Sequence, residues 1–213
     1  NSQAWLIKSP IDDREMLSIS RELGFQPLKK TNCWTLNKLN LNKFLSKKQP
    51  IYPKNITWQK LAKTNASSLL RLKQVNESVQ LRQLLDIQSV DLLDKSNKRS
   101  GVLICTYKNQ ISEIAGLINN TSSTDYNSYE LVKDIAWDTR LNESIPAMIK
   151  ELIRDQPDII LNINSDDEKL NHIVCDMGLE KIDELVILGR SLWKRKISHN
   201  LLGKESSLET VLD

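Results

Sequence analysis

A long-range repeat most constrains how this chain can fold. Residues 5–34 and 159–188 both contain an apolar run, a pair of aspartates, an amphipathic segment, a glycine turn and a second apolar run. Gly24 aligns with Gly178 without gaps, at a spacing of 154 residues (178 minus 24). The other aligned pairs include Trp5 with Ile159, Asp12 with Asp166, Asp13 with Asp167, Met16 with Leu170, Ile19 with Ile173 and Leu23 with Met177. A repeat of this long period indicates two copies of one domain rather than a solenoid of short units.

The composition is that of an ordinary globular protein. Hydrophobic residues make up 39% and charged residues 27% of the 213 residues, which is enough chain for one large or two small domains. The net charge of +3 is too small to indicate a nucleic-acid-binding surface. The sequence therefore gives no strong signal for a nucleic-acid partner.

The cysteines and histidines give little support for a metal site. Cys33, Cys105 and Cys175 are odd in number and widely spaced, and none has the neighbouring Cys or His that a zinc site requires. Only His172 and His199 are present. No apolar run approaches the roughly 20 residues needed to cross a bilayer, and no signal-peptide pattern is found. These features predict a cytoplasmic protein with reduced thiols, no membrane segment and no metal.

The first part of the chain is predicted to form a strand, a helix and a strand. An apolar run at 4–7 stops before Pro10, Asp12 or Asp13 can cap a helix, and Gly24 can end it. A second strand is predicted over 28–36. A polar stretch follows, in which Leu39, Leu41, Phe44 and Leu45 are expected to anchor a linker against a domain.

From residue 56 to residue 193 the patterns predict a strand, two helices, three strands, a helix, a strand, a helix and a strand. The predicted strands cover 56–62, 101–107, 110–118, 129–137, 159–163 and 181–193. The predicted helices cover 65–75, 79–94, 143–155 and 166–177. Lys108 and Asn109 suit a tight hairpin between two of the strands.

This order resembles that of the GNAT N-acetyltransferases. In that family the last helix commonly ends in a Leu-Gly-Phe-like turn, which Leu23-Gly24-Phe25 and Met177-Gly178-Leu179 resemble. The resemblance implies an α/β (α+β) fold with a mixed, curved sheet flanked by helices. The implied organisation is a partial GNAT-like copy at 1–37, a linker at 38–54, a complete GNAT-like domain at 55–196 and a tail at 197–213. The chain is thus expected to begin part-way through a first domain.

The resemblance also implies a place for acetyl-CoA, where the sheet splays apart beside the central helix. In the family an Arg/Gln-x-x-Gly-x-Gly/Ala loop at the start of this helix holds the pyrophosphate through backbone N–H groups. The corresponding residues here are Arg140, Leu141, Asn142, Glu143, Ser144 and Ile145, which keep the arginine and lack both glycines. We therefore expect a degenerate loop, in which Glu143 stabilises its own helix and Arg140 is a surface cation.

The catalytic positions implied by the resemblance are also altered. Many members carry a tyrosine four residues before the glycine of the final helix turn, where it protonates the leaving thiolate. Val174 takes this position in one repeat and Ser20 in the other. Glu130, Asp134 and Asp138 are acids that could deprotonate an amine, although a solvated carboxylate is the ordinary state of each. The candidates for catalysis are Glu130, Asp134 and Ser20.

Three hypotheses about function remain open. The chain is the carboxyl-terminal portion of a tandem N-acetyltransferase-like protein whose complete copy has a structural or substrate-binding role. Alternatively, it is an active acyl-CoA-dependent N-acyltransferase with an atypical loop, or a protein-interaction module. In the tandem hypothesis, strands 5–7 and 30–36 are expected to pair with each other or to lie against the complete domain, because proteins cover unpaired edges.

Overall fold

The computed structural model describes residues 3–37, 39, 41–46, 51–94, 99–108, 110–120 and 127–192. The described part contains eight strands and seven helices. The strands are β1 (Gln3–Pro10), β2 (Gln26–Thr35), β3 (Ile56–Lys60), β4 (Gly101–Tyr107), β5 (Gln110–Asn119), β6 (Asn127–Lys133), β7 (Ile159–Asn164) and β8 (Glu180–Leu192). The helices are α1 (Arg14–Glu22), α2 (Leu41–Ser46), α3 (Ala66–Val75), α4 (Val79–Leu85), α5 (Ser89–Asp94), α6 (Leu141–Asp155) and α7 (Glu168–Asp176). Trp193 and the predicted tail at 197–213 lie outside the described residues.

All eight strands form one mixed sheet. Their order is β1-β8-β2-β7-β6-β5-β4-β3. β6 and β7 pair in parallel, and the other neighbouring strands of the described sheet pair antiparallel. The predicted order of elements from β3 to β8 is confirmed, with one helix divided in two.

Helices cover both faces of the sheet. Val102 and Ile104 of β4 pack in a core with Leu69 of α3, whereas Leu103 of the same strand packs in a core with Ile149 of α6. Because successive side chains of a strand point to opposite faces, α3 and α6 lie on opposite faces of the sheet.

Two elements differ from the prediction. The helix predicted over 79–94 is two helices, because Asp86 ends α4 in the left-handed region with φ of 41°. The predicted linker contains α2, whose Phe44 is buried against the main core. Leu41 packs against the same core, whereas Leu39 is 89% exposed and does not anchor the segment.

The amino-terminal strands belong to the same sheet as the rest of the chain. β8 lies between β1 and β2, and β2 lies between β8 and β7. β1 and β2 therefore each pair with β8 rather than with one another. Ile7 of β1 lies opposite Leu188, and Trp34 of β2 lies opposite Leu161 on one side and Lys181 on the other.

The pairing of β2 with β8 has a local two-fold pseudo-symmetry. Its centre is the pair Thr31 and Leu185, which are 154 positions apart (185 minus 31), the spacing of the sequence repeat. The register skips Leu28 on β2 and Ile182 on β8, again 154 positions apart (182 minus 28). The units β1-α1-β2 and β7-α7-β8 are therefore related by a rotation about this pair.

The two units also share their helix ends. The carboxylates of Asp13 and Asp167 each accept a hydrogen bond from the backbone N–H three residues further on, at 3.0 and 3.1 Å. The turns after the helices contain glycines with positive φ, 79° at Gly24 and 93° at Gly178, a conformation that favours glycine. The predicted helix cap and both glycine turns are confirmed.

Candidate functional site

The sheet opens between β6 and β7. Their parallel pairing ends at Glu130 and Asn162. β6 nevertheless continues to Lys133, where it still pairs with β5, and β7 continues to Asn164, where it still pairs with β2. The resulting opening lies at the carboxyl ends of two parallel strands, directly before α6, where the resemblance places acetyl-CoA.

An ion pair crosses this opening. Lys133 Nζ lies 3.0 Å from Asp167 Oδ2, and the two side chains are only 10% and 14% exposed. The ring of Trp137 lies beside it, with its centroid 5.6 Å from Lys133 Nζ and 5.3 Å from Lys169 Nζ. Charged and aromatic side chains of this chain therefore lie in the opening.

The backbone N–H groups at the start of α6 already have acceptors. Such groups bind phosphate only when they lack a partner within the chain. The hydrogen bonds here run from Arg140 N to Asp138 Oδ1 at 2.9 Å, Leu141 N to Asp138 O at 2.9 Å, Asn142 N to Thr139 O at 3.2 Å, Glu143 N to Arg140 O at 3.3 Å and Ser144 N to Arg140 O at 3.1 Å. The N–H groups of the first turn of α6 are thus all hydrogen-bonded to acceptors within the chain.

The Asp138 carboxylate accepts hydrogen bonds from both the backbone and the side chain of Arg140. Besides the Arg140 backbone, its carboxylate accepts hydrogen bonds from Arg140 Nε at 2.8 Å and from Nη2 of the same guanidinium. The hydrogen bond from Arg140 lowers the pKa of Asp138, and the same bond raises the pKa of Arg140. Arg140 Nη1 donates to Cys105 Sγ at 2.6 Å. The guanidinium is therefore directed into contacts within the chain.

The other residues of the predicted loop form the beginning of α6 itself. Leu141, Ser144 and Ile145 are buried, and Ser144 Oγ donates to the Arg140 carbonyl at 2.8 Å. Asn142 and Glu143 are exposed. Glu143 lies in the first turn of the helix, where a negative charge is favourable.

Glu130 lies in a buried cluster of four charged side chains. Glu130 Oε1 is 2.7 Å from Lys29 Nζ and Oε2 is 2.5 Å from Lys73 Nζ, which is in turn 2.9 Å from Glu77 Oε1. Burial alone would raise the pKa of Glu130, but Lys73 and Lys29 outweigh it and hold this pKa well below its usual range. An acid in this state binds a proton only weakly, so Glu130 is a poor general base.

Among the described residues, Asp134 and Ser20 form no hydrogen bond with this cluster. Asp134 is half-buried and accepts a hydrogen bond from the Ala136 backbone at 3.3 Å. Ser20 is buried in α1, and its Oγ has no hydrogen-bond partner among the described residues. Val174, which aligns with Ser20, is buried in the core. Across the described part of the chain, no hydrogen bond joins Glu130, Asp134 or Ser20 to one another.

The sequence did not indicate the cavity beside Glu130. This cavity has a volume of about 340 Å³ and is lined by both lysines of the cluster, Glu77, Asn162, Leu81 and Ile187. Lys29 and Lys73 lie 101 and 57 positions from Glu130 in the chain. No local pattern relates residues so far apart, so only the fold could bring them together.

Cys33 lies beside Asn162, where the pairing of β6 with β7 ends, but its thiol is not a nucleophile. Its thiol donates to Asn162 Oδ1 at 3.2 Å, and Asn162 Nδ2 donates to Ser128 Oγ at 2.6 Å. Burial raises the pKa of Cys33 to about 11. A thiol with this pKa is almost fully protonated near neutral pH and is therefore unreactive.

The described residues reveal neither a membrane-spanning helix nor a metal-binding cluster. In this part of the chain no helix combines the length and hydrophobicity needed to cross a bilayer. In the same residues, no group of three or more His, Cys, Asp and Glu side chains could hold a metal ion.

Comparisons with known proteins identify the fold. No family model and no curated protein matches the sequence. A GCN5-related N-acetyltransferase from Sphaerobacter thermophilus is similar in structure, with a TM-score of 0.53 and 9% identity over 89% of this chain and 60% of that one. A tandem GNAT protein from the clavulanic acid biosynthesis pathway has a TM-score of 0.53 and 10% identity over 89% of this chain and 64% of that one.

A Drosophila protein gives a TM-score of 0.59 and 15% identity over 87% of this chain and 60% of that one. This chain therefore spans between 60% and 64% of the length of these three structures. At such low identities the likeness establishes the fold alone. The chain has the GNAT fold, as predicted.

Proposed function

We propose that this chain, which has the GNAT fold, is the carboxyl-terminal part of a tandem N-acetyltransferase-like protein that transfers an acyl group from acetyl-CoA to an amine. In this proposal the domain at 55–196 does not bind acetyl-CoA and has a structural or substrate-binding role. The observation that carries the proposal is the contact between Asp138 and Arg140 at the start of α6.

A pyrophosphate at this helix would have to replace an existing anion. It would compete with the Asp138 carboxylate for the Arg140 backbone N–H and guanidinium. It would also meet the negative charge of Asp138, at a cost of roughly 1 kcal/mol in water and about 4 kcal/mol at a protein surface for two charges 4 Å apart. The competition for the Arg140 donors and the repulsion by Asp138 both oppose binding of acetyl-CoA.

The ion pair in the opening gives independent support. A cofactor that entered between β6 and β7 would have to separate Lys133 from Asp167, whose side chains are both largely buried. Breaking a largely buried pair exposes two charges that are matched in the free protein. The cofactor residues that the resemblance implies therefore do not fit acetyl-CoA in this domain.

Amide chemical shifts measured by NMR test the proposal. Acetyl-CoA should leave the resonances of Arg140 to Ile145 unchanged in the parent chain, because their N–H groups are already bonded. The variant Asp138→Ala frees the Arg140 backbone N–H, so inorganic pyrophosphate should shift the Arg140 amide resonance there. Asp134→Ala, which removes a nearby carboxylate that accepts a hydrogen bond from the Ala136 backbone, is the matched control. Saturable shifts in the parent chain would contradict the proposal.

The alternative is an active acyl-CoA-dependent N-acyltransferase with an atypical pyrophosphate loop. It is favoured by the position of Arg140, which directly precedes α6 as its N-cap residue and lies beside the opening of the sheet. In that case Arg140→Ala should weaken the measured affinity for CoA at least about tenfold, as expected for loss of a charge-assisted contact. An unchanged affinity for CoA would show that the Arg140 side chain does not contribute to binding, and would remove the evidence for this alternative.

A further inference from the structure

The cavity of about 340 Å³ beside Glu130 lies between the sheet and the helices α3, α4 and α5. We call it the α4 cavity, because two leucines of that short helix, Leu81 and Leu85, line it. Its lining combines the buried charged cluster with apolar side chains, among them Leu81, Leu92 and Ile187. Pockets that bind small molecules measure roughly 300–1,000 Å³, so the α4 cavity has the size for a small ligand.

Strand β2 presents two polar side chains to the α4 cavity. Lys29 lies opposite Ile187 of β8, and Thr31 lies opposite the residue two positions earlier on β8, so both are on the same face of the sheet. Two positions along a strand separate their Cα atoms by roughly 7 Å. Lys30, between them, lies opposite Val186, which packs in the separate core on the α1 side. An ammonium group and a hydroxyl group therefore lie side by side in the cavity wall.

Both side chains have hydrogen-bonding capacity that the described chain does not use. A lysine ammonium group has three N–H donors. Among the described residues, Lys29 Nζ donates only to Glu130 Oε1, at 2.7 Å, although the Lys29 side chain is 8% exposed. Thr31 is 6% exposed, and in the described part of the chain its hydroxyl has no hydrogen-bond partner. Because a buried polar group without a partner is costly, these two groups favour a bound hydrogen-bond acceptor.

The acids that line the α4 cavity already have partners. Each carboxylate oxygen of Glu130 binds one ammonium group, and Glu77 Oε1 lies 2.9 Å from one of the same two groups. Asp91 Oδ2 accepts a hydrogen bond from the Gln88 backbone at 2.7 Å. Lys8, by contrast, lines the cavity from β1 and has no carboxylate partner among the described residues. The unused capacity of the cavity is therefore cationic and hydrogen-bond-donating.

We propose that the α4 cavity binds a small carboxylic acid with an apolar body. The carboxylate accepts hydrogen bonds from the Lys29 ammonium group and the Thr31 hydroxyl, and the apolar body contacts Leu81, Leu92 and Ile187. An amine of the same shape would have to compete with the buried lysines for carboxylates that are already paired. The cavity therefore selects an acid over an amine, and this selection does not depend on acetyl-CoA.

Amide chemical shifts measured by NMR during titration with hexanoate test the proposal. Hexanoate should shift the resonances of Lys29, Thr31 and Ile187 saturably. Hexanol and hexylamine carry the same apolar chain with a neutral or a cationic head. Each should bind at least about tenfold more weakly, because a hydrogen bond to a charged group is lost or replaced by repulsion. The absence of saturable shifts with hexanoate, or equally tight binding of hexylamine, would overturn the proposal.

Variants of β2 test the contacts of the carboxylate. Lys29→Met should weaken hexanoate binding at least about tenfold and leave hexanol binding unchanged, which shows that the cavity is intact. The matched control is Lys30→Met, which removes the same charge from the other face of the strand and should leave hexanoate binding unchanged.

Thr31→Val supplies a second variant that keeps the whole buried ion-pair cluster. It removes the hydroxyl with little change in size and should weaken hexanoate binding about threefold or more, with hexanol again unchanged. It decides the question if Lys29→Met does not fold. Hexanoate affinity equal to that of the parent chain in every folded variant would overturn the assigned contacts.

The two proposals fail separately. Acetyl-CoA takes no part in the hexanoate titrations, so its binding to the chain would overturn the proposed function alone. A chain that ignores hexanoate would still have the contact between Asp138 and Arg140 at the start of α6.

Discussion

Asp138 determines how the start of α6 interacts with its surroundings. Its carboxylate binds the backbone N–H and the guanidinium of Arg140, two donors that would otherwise be available to an anion. The sequence analysis identified the missing glycines and the exposed acid Glu143. It did not identify Asp138 as the anion that would compete with a pyrophosphate for Arg140. That role depends on the turn that brings the Asp138 carboxylate to the backbone and side chain of Arg140.

Glu130 shows how a candidate catalytic acid can instead be structural. Its carboxylate forms ion pairs with two buried ammonium groups, those of Lys29 on β2 and Lys73 on α3. The contact therefore joins β2 and α3 to β6. Glu130 was a candidate because it is an acid on the strand predicted over 129–137. The structure places it on β6, but its partners could not be inferred from the sequence.

Replacement of Glu130 with Gln should lower the free energy of unfolding by about 3 kcal/mol at pH 7. Among the described residues, the variant leaves the buried Lys29 without a carboxylate partner and leaves Lys73 with Glu77 alone. Urea denaturation measures the change. The control is Glu113→Gln, which affects a 3.4 Å pair with the exposed Arg71 and should cost less than about 1 kcal/mol. Equal losses in the two variants would contradict a structural role for the buried cluster.

The pH dependence of this contribution has a defined sign. Lys73 and Lys29 hold the pKa of Glu130 below its usual range in the folded protein, so the unfolded chain binds a proton at higher pH than the folded one. The stabilisation is therefore complete above the usual range of a glutamate pKa and decreases as the pH falls below it. The difference in stability between the parent chain and Glu130→Gln should accordingly decrease on acidification.

At the scale of elements, the two strand-helix-strand units carry the same helix cap in different surroundings. Asp13 and Asp167 each cap a helix, but only Asp167 also binds a lysine, Lys133, among the described residues. The contributions of the helix cap and of the ion pair to the free energy of unfolding can therefore be measured separately, by changing Asp13 and Asp167 in the same molecule.

Asp167→Asn should destabilise the protein by about 1–3 kcal/mol, because the amide can still cap α7 but no longer neutralises a largely buried lysine. Asp13→Asn should cost less than about 0.5 kcal/mol, since Asn and Asp are similar caps. Urea denaturation of both variants measures the difference. A larger loss for Asp13→Asn would contradict the importance of the ion pair across the opening.

At the scale of the whole molecule, local patterns predicted most elements but not how the strands pair. The order from β3 to β8 and the two glycine turns followed from periodicity and turn chemistry. The position of β8 between β1 and β2 depends on contacts between residues more than a hundred positions apart, such as Ile7 and Leu188. The 154-residue repeat was visible in the sequence, and its two-fold arrangement appeared only in the sheet.

Calorimetric titration of the chain with acetyl-CoA tests the central claim most directly. Because Asp138 already holds the donors at the start of α6 and Lys133 already bridges the opening, acetyl-CoA at concentrations up to ~1 mM should produce no saturable heat, corresponding to a binding free energy weaker than about −4 kcal/mol. A saturable isotherm with micromolar affinity would contradict the claim that this domain does not bind the cofactor.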